Sequence, residues 1–270
     1  MSIEPMKVII LAGGYGTRLS EMTEEIPKPM VKIGGSPILK HIMDIYMDQG
    51  DFHFIIAGGY KYVDIVNWAE SRNFGNSPIF RNDDSRVTVV DTGLETKTGG
   101  RVKRIIENFG IVPDERFMLT YGDGLADINL MALIDHHERM RKHQHPPVVP
   151  PPPVLVTLTA VNPPSRFGRL GLSENFPGHC DIFTEKGQDP SGWVNAGFYI
   201  CQGEVVDLIP NDQCFWERDV LPVLAHQMRL AAFQHPGEFL MMDTWRDIDR
   251  LETVFRSGDP FWRRWASEKN

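Results

Sequence analysis

The order of segments predicts an α/β fold built on a mainly parallel sheet with helices on both faces. Two observations carry this reading. Short apolar runs ended by glycine alternate with stretches of helical spacing, and glycine or aspartate recurs just beyond the downstream ends of those runs.

Lys7–Leu11 (KVIIL) is a continuous apolar run bounded by glycine, which reads as a buried strand. Ser36-Pro37 reads as a helix opening, with serine as N-cap and proline at the first helical position. Ile38, Ile42 and Ile45 then repeat at helical spacing until Gly50. Phe52–Ala57 is a second buried strand, closed by Gly58-Gly59. Val63–Glu70 is helical, Val87–Val90 a third strand, and Gly99–Asn108 a short helix. Phe117–Tyr121 is a fourth strand that runs into Gly122-Asp123-Gly124. Asn129–Arg141 is a helix and Val154–Val161 a strand.

Beyond about residue 162 the segments shorten. Arg169–Ser173, Asp181–Lys186 and Trp193–Cys201 read as strands, Phe215–Met228 as a helix, Leu230–His235 as a strand and Asp247–Arg256 as a closing helix. The expectation is one domain over 1–270, with a core at 1–161 and a sheet extension or smaller subdomain at 162–270. The tract HPPVVPPPP at 145–153 favours polyproline II and cannot feed a central ladder, so it reads as a stiff surface connection.

Composition narrows the function. A formal net charge of −8 argues against broad nucleic-acid binding. No segment approaches the roughly 18 apolar residues of a membrane span. Three cysteines with no CxxC pair fit a reducing, cytoplasmic setting.

The stretch after the first strand, LAGGYGTRLSEMTEEIPKP, holds three glycines within four positions and then two cations. Gly14-Tyr15-Gly16-Thr17-Arg18-Leu19 has leucine where a dinucleotide fingerprint has its third glycine, and no Walker Gly-Lys-Ser/Thr follows. A tight turn and a phosphate cradle both remain open on the glycines alone. Bare backbone N–H groups suit phosphate oxygens, Arg18 offers a fork of donors, and Lys28 between Pro27 and Pro29 offers a point charge. Asp123 and Asp243 each follow an apolar run. Singly each reads as a turn former, but together beside a cationic loop they suggest a pair of magnesium ligands. His136, His137, His143 and His145 read as a solvated face, and Trp193, Trp216 and Trp245 as buried packing.

The sequence resembles the sugar-1-phosphate nucleotidyltransferases, closest to the glucose-1-phosphate cytidylyltransferases. The stretches that carry this are KVIILAGGYGTRLSE, PKPMVKIGGSPILKHIM, VDTGLETKTGGRVKRI, TYGDGLAD, AVNPPSRFGRL, GWVNAGFYI, FWERDVLPVLA and MDTWRD, in family order. The resemblance implies a Rossmann-like sheet, with 1–161 as the nucleotide-binding core and 162–270 as a smaller C-terminal sugar-binding and sheet-extending portion. It implies transfer of a cytidylyl group from CTP to α-D-glucose 1-phosphate, with Mg2+, in an oligomer.

By the same resemblance Leu11, Ala12, Gly13, Gly14 and Gly16 line the nucleotide, with Thr17, Arg18 and Lys28 at its phosphates. Thr96, Arg101 and Gly122 complete the nucleotide site, and Asp123 and Asp243 hold the metal. Glu185, Lys186, Asn195, Ala196 and Gly197 hold the sugar phosphate. The catalytic set is Arg18, Lys28 and Asp123. The chain departs from the family at Gly187, where proline is usual after Glu185-Lys186, at Ala196, where glycine is usual, and in the proline tract. A transferase for another sugar or nucleotide, or a silent regulatory relative, is the alternative reading.

Overall fold

The computed structural model describes residues 5–16, 25–71, 87–142, 152–162 and 192–269, together with the strand backbones at 169–172 and 180–184. In chain order the strands are β1 (Met6–Leu11), β2 (Lys32–Ile33), β3 (Ser36–Pro37), β4 (Phe52–Gly58), β5 (Val87–Asp91), β6 (Arg116–Tyr121), β7 (Gly124–Ala126), β8 (Val156–Val161), β9 (Arg169–Leu172), β10 (Cys180–Thr184), β11 (Val194–Gln202), β12 (Leu230–His235) and β13 (Phe239–Met241). The α-helices are α1 (Ile38–Met47), α2 (Tyr62–Glu70), α3 (Thr98–Asn108), α4 (Leu130–Lys142), α5 (Leu221–His226) and α6 (Trp245–Arg256).

Seven strands form the central sheet in the order β12-β8-β11-β6-β1-β4-β5. Every neighbouring pair is parallel except the two made by β11, which runs against β6 and β8. The mainly parallel α/β reading is therefore correct, with one reversed strand. Strands from both halves of the chain share this sheet.

The continuous apolar strands have the reason the sequence suggests: both faces are covered. Val8, Ile10, Phe54 and Ile56 enter one core with α1, while Ile9, Leu11, Ile55 and Ala57 enter the other with Val102 and Ile105 of α3. Fully burying a side chain of this size contributes about 1.5–3 kcal/mol, so the two faces together hold β1 and β4 rigidly beneath the glycine turn.

Four expectations are corrected. Ser36-Pro37 does not open α1; it pairs as β3 with β2, and the helix begins at Ile38, whose N–H donates to the Val31 carbonyl. The helix expected over Phe215–Met228 is a π-helical turn, Trp216–Val220, followed by the shorter α5, because Pro222 stands at the first turn of the latter. His137 is not on a solvated face: it is fully buried and bonded to Thr157 and Gln202, while His143 and His145 lie outside the described residues. Trp216 is buried as expected, but Trp193 and Trp245 are 40% and 49% exposed. Most of the proline tract also lies outside the described residues.

Candidate active site

The carboxyl ends of β1, β4 and β6 stand side by side, with Leu11 in register with Ala57 and Tyr121. The loops that leave these ends therefore meet at one edge of the sheet, where open α/β sheets bind ligands. A cavity of about 390 Å³ lies there. It is lined by Leu11, Ala12, Gly13, Gly14 and Gly16, by Lys28, Thr96, Arg101 and Gly122, and by Asp123 and Asp243. These are the nucleotide and metal positions expected from the sequence, except Thr17 and Arg18, which lie outside the described residues.

Lys28 sits at the start of a 3-10 turn over Lys28–Met30, which Pro27 enters in extended conformation. Its ammonium bridges two carboxylates, 2.6 Å from Asp123 Oδ2 and 2.7 Å from Asp243 Oδ1. Asp123 follows β6 through Gly122, whose N–H donates to the Leu11 carbonyl at 3.0 Å. Asp243 follows β13, and the Met242 N–H donates to the Asp123 carbonyl at 2.9 Å. The β7–β13 pairing thus brings together two aspartates far apart in sequence. Burial pulls the Lys28 ammonium toward its neutral form, but the two aspartates, Asp123 first, outweigh this and raise its pKa.

The two carboxylates converge on one cation, and the other oxygen of Asp123, Oδ1, is buried with no hydrogen-bond partner. Among the described residues no group of three or more His, Cys, Asp or Glu could hold a metal alone. Asp123 and Asp243 therefore fit a divalent ion that takes its remaining ligands from water and substrate phosphates, which is magnesium's habit.

Arg101 lies behind the glycine turn and is 4% exposed. Nη1 donates to the Gly58 carbonyl at 2.8 Å and to Thr92 Oγ1 at 2.6 Å, and Nη2 donates to the Gly13 carbonyl at 3.0 Å. Its guanidinium ties the turns after β1 and β4 together. Burial lowers its pKa, and no carboxylate bonds it among the described residues. A Cβ on Gly13 would lie 2.2 Å from Nη1, so Gly13 is bare partly to admit this side chain.

On the sugar side, Glu185 and Lys186 lie outside the described residues. Asn195 Nδ2 donates to the Tyr199 hydroxyl, and its Oδ1 accepts from the Gly197 N–H at 3.0 Å. Gly197 holds φ +77°, with the Tyr121 ring where a Cβ would be. Ala196 is 2% exposed, with its methyl in the first core. None of these three lines the cavity. Sequence reasoning passed over Tyr15, Leu94, Lys97, Thr98, Tyr121 and Phe215, which also line it. Tyr121 and Phe215 end or begin apolar runs, so packing hid them.

A profile described as nucleotidyl transferase matches residues 7–257. The chain belongs to the nucleotidyl transferase family. This nucleotidyltransferase is 41% identical to the glucose-1-phosphate cytidylyltransferase of Salmonella typhi, over 96% of this chain and all of that one. It is 33% identical, at the same coverage, to a probable glucose-1-phosphate cytidylyltransferase of Bacillus subtilis. Among solved structures it is similar to HddC from Yersinia pseudotuberculosis, with a TM-score of 0.65 and 25% identity over 93% of this chain and 99% of that one.

Proposed function

We propose that the protein transfers a cytidylyl group from CTP to α-D-glucose 1-phosphate, giving CDP-glucose and pyrophosphate. The observation that carries this is the 41% identity to a curated cytidylyltransferase along nearly the whole chain. The cavity adds chemical support, since it combines bare backbone, lysine and paired carboxylates at a sheet edge.

An oxygen of the sugar phosphate attacks the α-phosphorus of CTP, and the bond to the leaving pyrophosphate breaks. The sugar phosphate is ionised at neutral pH, so no general base is needed. The barrier is the approach of two anions and the charge gathering on the leaving group, which makes catalysis a matter of position and electrostatics. Lys28 and Arg18 take up charge on the triphosphate, together with the amides of Gly13, Gly14 and Gly16. Asp123 and Asp243 hold Mg2+, which when bound neutralises phosphate charge. Arg101 keeps the glycine turn in shape from behind. Lys186 holds the phosphate of the sugar phosphate, with Glu185, Asn195, Ala196 and Gly197 beside the sugar.

The setting proposed is cytoplasmic and oligomeric. Cys201 and Cys214 are free and buried, and no helix among the described residues is long and apolar enough to cross a membrane. The test is pyrophosphate release with Mg2+ and glucose 1-phosphate across CTP, UTP, dTTP, ATP and GTP. Release with CTP alone is expected. Release with another nucleotide instead would overturn the cytidylyl assignment.

A further inference from the structure

Glu217 carries no role in the account so far, does not line the cavity, and yet bonds two residues that do. It stands in the first turn of the π-helical segment Trp216–Val220, a kind of distortion that often marks functional sites. Its Oε1 accepts from the Tyr121 hydroxyl at 2.5 Å, and its Oε2 accepts from the Thr98 hydroxyl at 2.8 Å. The segment is braced by its own contacts. The Phe215 N–H donates to Asp219 Oδ2 at 2.7 Å, and the Arg218 guanidinium lies over the Phe215 ring, 4.1 Å from its centre.

An ionised carboxylate only accepts hydrogen bonds, and that fixes the direction of everything attached to it. The single proton of the Thr98 hydroxyl goes to Glu217. One of its two lone pairs takes the Trp216 N–H at 2.9 Å. The remaining lone pair can meet only a donor. Tyr121 is under the same constraint: its proton goes to Glu217, so in the 2.9 Å contact between the two phenols Tyr199 must donate. Tyr199 in turn accepts from Asn195 Nδ2, which turns the Asn195 Oδ1 toward the Gly197 N–H. The wall formed by Thr98 and Tyr121 is therefore an acceptor surface.

That wall adjoins the part of the cavity suited to a base. Asp123 and Asp243 stand just beyond the ends of β6 and β13 and hold the Lys28 ammonium between them, where phosphates and metal belong. Leu94, Thr96, Thr98 and Phe215 supply mostly neutral and apolar surface, with the Lys97 ammonium set over the Phe215 ring, 5.8 Å from its centre. A pyrimidine there presents either an exocyclic amino group, a donor, or a carbonyl, an acceptor, on the same ring carbon. An acceptor wall accepts the first and leaves an unpaired clash of lone pairs with the second.

We infer that Glu217 is a specificity-determining positioning residue: by fixing the hydroxyl protons of Thr98 and Tyr121 it makes the base-facing wall favour cytosine over uracil. This rests on the cytidylyl reading above. Glu217→Gln tests it without changing shape. The carboxamide can accept from one hydroxyl but must donate to the other, and the displaced proton then turns toward the cavity as a donor.

The experiment measures kcat and KM for CTP and for UTP in the full-length protein, with glucose 1-phosphate and Mg2+, beside thermal midpoints. In Glu217→Gln the CTP-to-UTP ratio of kcat/KM is expected to fall at least about tenfold, mainly through KM, with the midpoint kept. Thr98→Val should lower kcat/KM for CTP more than for UTP, and Thr98→Ser, which keeps the hydroxyl, should retain the wild-type ratio. Folded Glu217→Gln and Thr98→Val enzymes with the wild-type ratio would overturn the role of Glu217 while leaving the cytidylyl reading intact. A wild-type enzyme with no preference for CTP would instead overturn the base assignment on which the inference rests.

Discussion

The contact between Gly13 and Arg101 sets a sharp test of how the glycine turn is built. Gly13→Ala adds one methyl, whose carbon would fall 2.2 Å from Arg101 Nη1 and 2.3 Å from Cζ. The end of a flexible arginine would ordinarily swing away at little cost, but this one can move only by giving up hydrogen bonds. Its donors are engaged by Gly58, Thr92 and Gly13, and on its other side a Cβ at Gly59 would lie only 2.5 Å from Nη1. The methyl must therefore break at least one charge-assisted hydrogen bond, about 2 kcal/mol, and add local strain of about 1 kcal/mol. A destabilisation of about 3 kcal/mol lowers the thermal midpoint by about 6–12 °C in a chain of this size. Removing the guanidinium with Arg101→Met takes away the clash partner, so in that background Gly13→Ala should cost less than about 1 kcal/mol. Urea unfolding of the four proteins, followed by tryptophan fluorescence, measures a coupling of about 2 kcal/mol. Equal cost of Gly13→Ala in both backgrounds, or no cost at all, would refute the account of the turn.

Three further outcomes are expected. Lys28→Met removes a preorganised positive group and should lower kcat by roughly 100- to 1,000-fold in a pyrophosphate-release assay. Asp123→Asn should lose activity together with the dependence on Mg2+, and an unchanged magnesium titration would count against its role as a ligand. His137, buried between Thr157 and Gln202, has its pKa pushed down by burial to about 3 from 6.5. The unfolded chain then binds the proton first, so stability falls as pH drops from 6.5 toward 3, by about 2 kcal/mol between pH 7 and pH 5. Urea midpoints should show this slope in the wild type and a shallower one in His137→Gln.

Much of the sheet was legible because its strands are locally decisive. VIIL in the first strand and FIIA in the second are unbroken apolar runs, and only a strand covered on both faces needs them. The β7–β13 pair was not legible as a pair. Each strand has three residues, and their partnership joins Ala126 to Phe239 across the chain. The same long-range pairing hid the geometry of the site. Lys28, Asp123 and Asp243 could each be named from sequence, but a salt-bridged set spanning 215 positions is a property of the fold. Arg101 could be named, but not that its donors are spent on backbone carbonyls. Glu217 gave no signal, because an exposed glutamate in a helical stretch is ordinary until its partners are seen.

The charges around the cavity explain why the cationic residues beyond the described ones matter to the proposed reaction. Lys28, Lys97 and Arg101 face Asp123 and Asp243, three cations against two carboxylates, which leaves a single formal positive charge. Two of these cations are already committed. Lys28 spends two of its three donors on the aspartates, and Arg101 spends most of its own on backbone carbonyls and Thr92. A nucleoside triphosphate and a sugar phosphate together bring several negative charges, which one net positive charge cannot offset. The proposed reaction assigns that balance to Arg18, to Lys186 and to a divalent ion on the two aspartates. The pairing of Lys28 with those aspartates offsets the cost of holding two carboxylates at partial burial. It also leaves one lysine donor available, so Lys28 can reach a phosphate without first surrendering both partners. In this arrangement the affinity for the polyanionic substrates and the need for the metal have the same electrostatic origin.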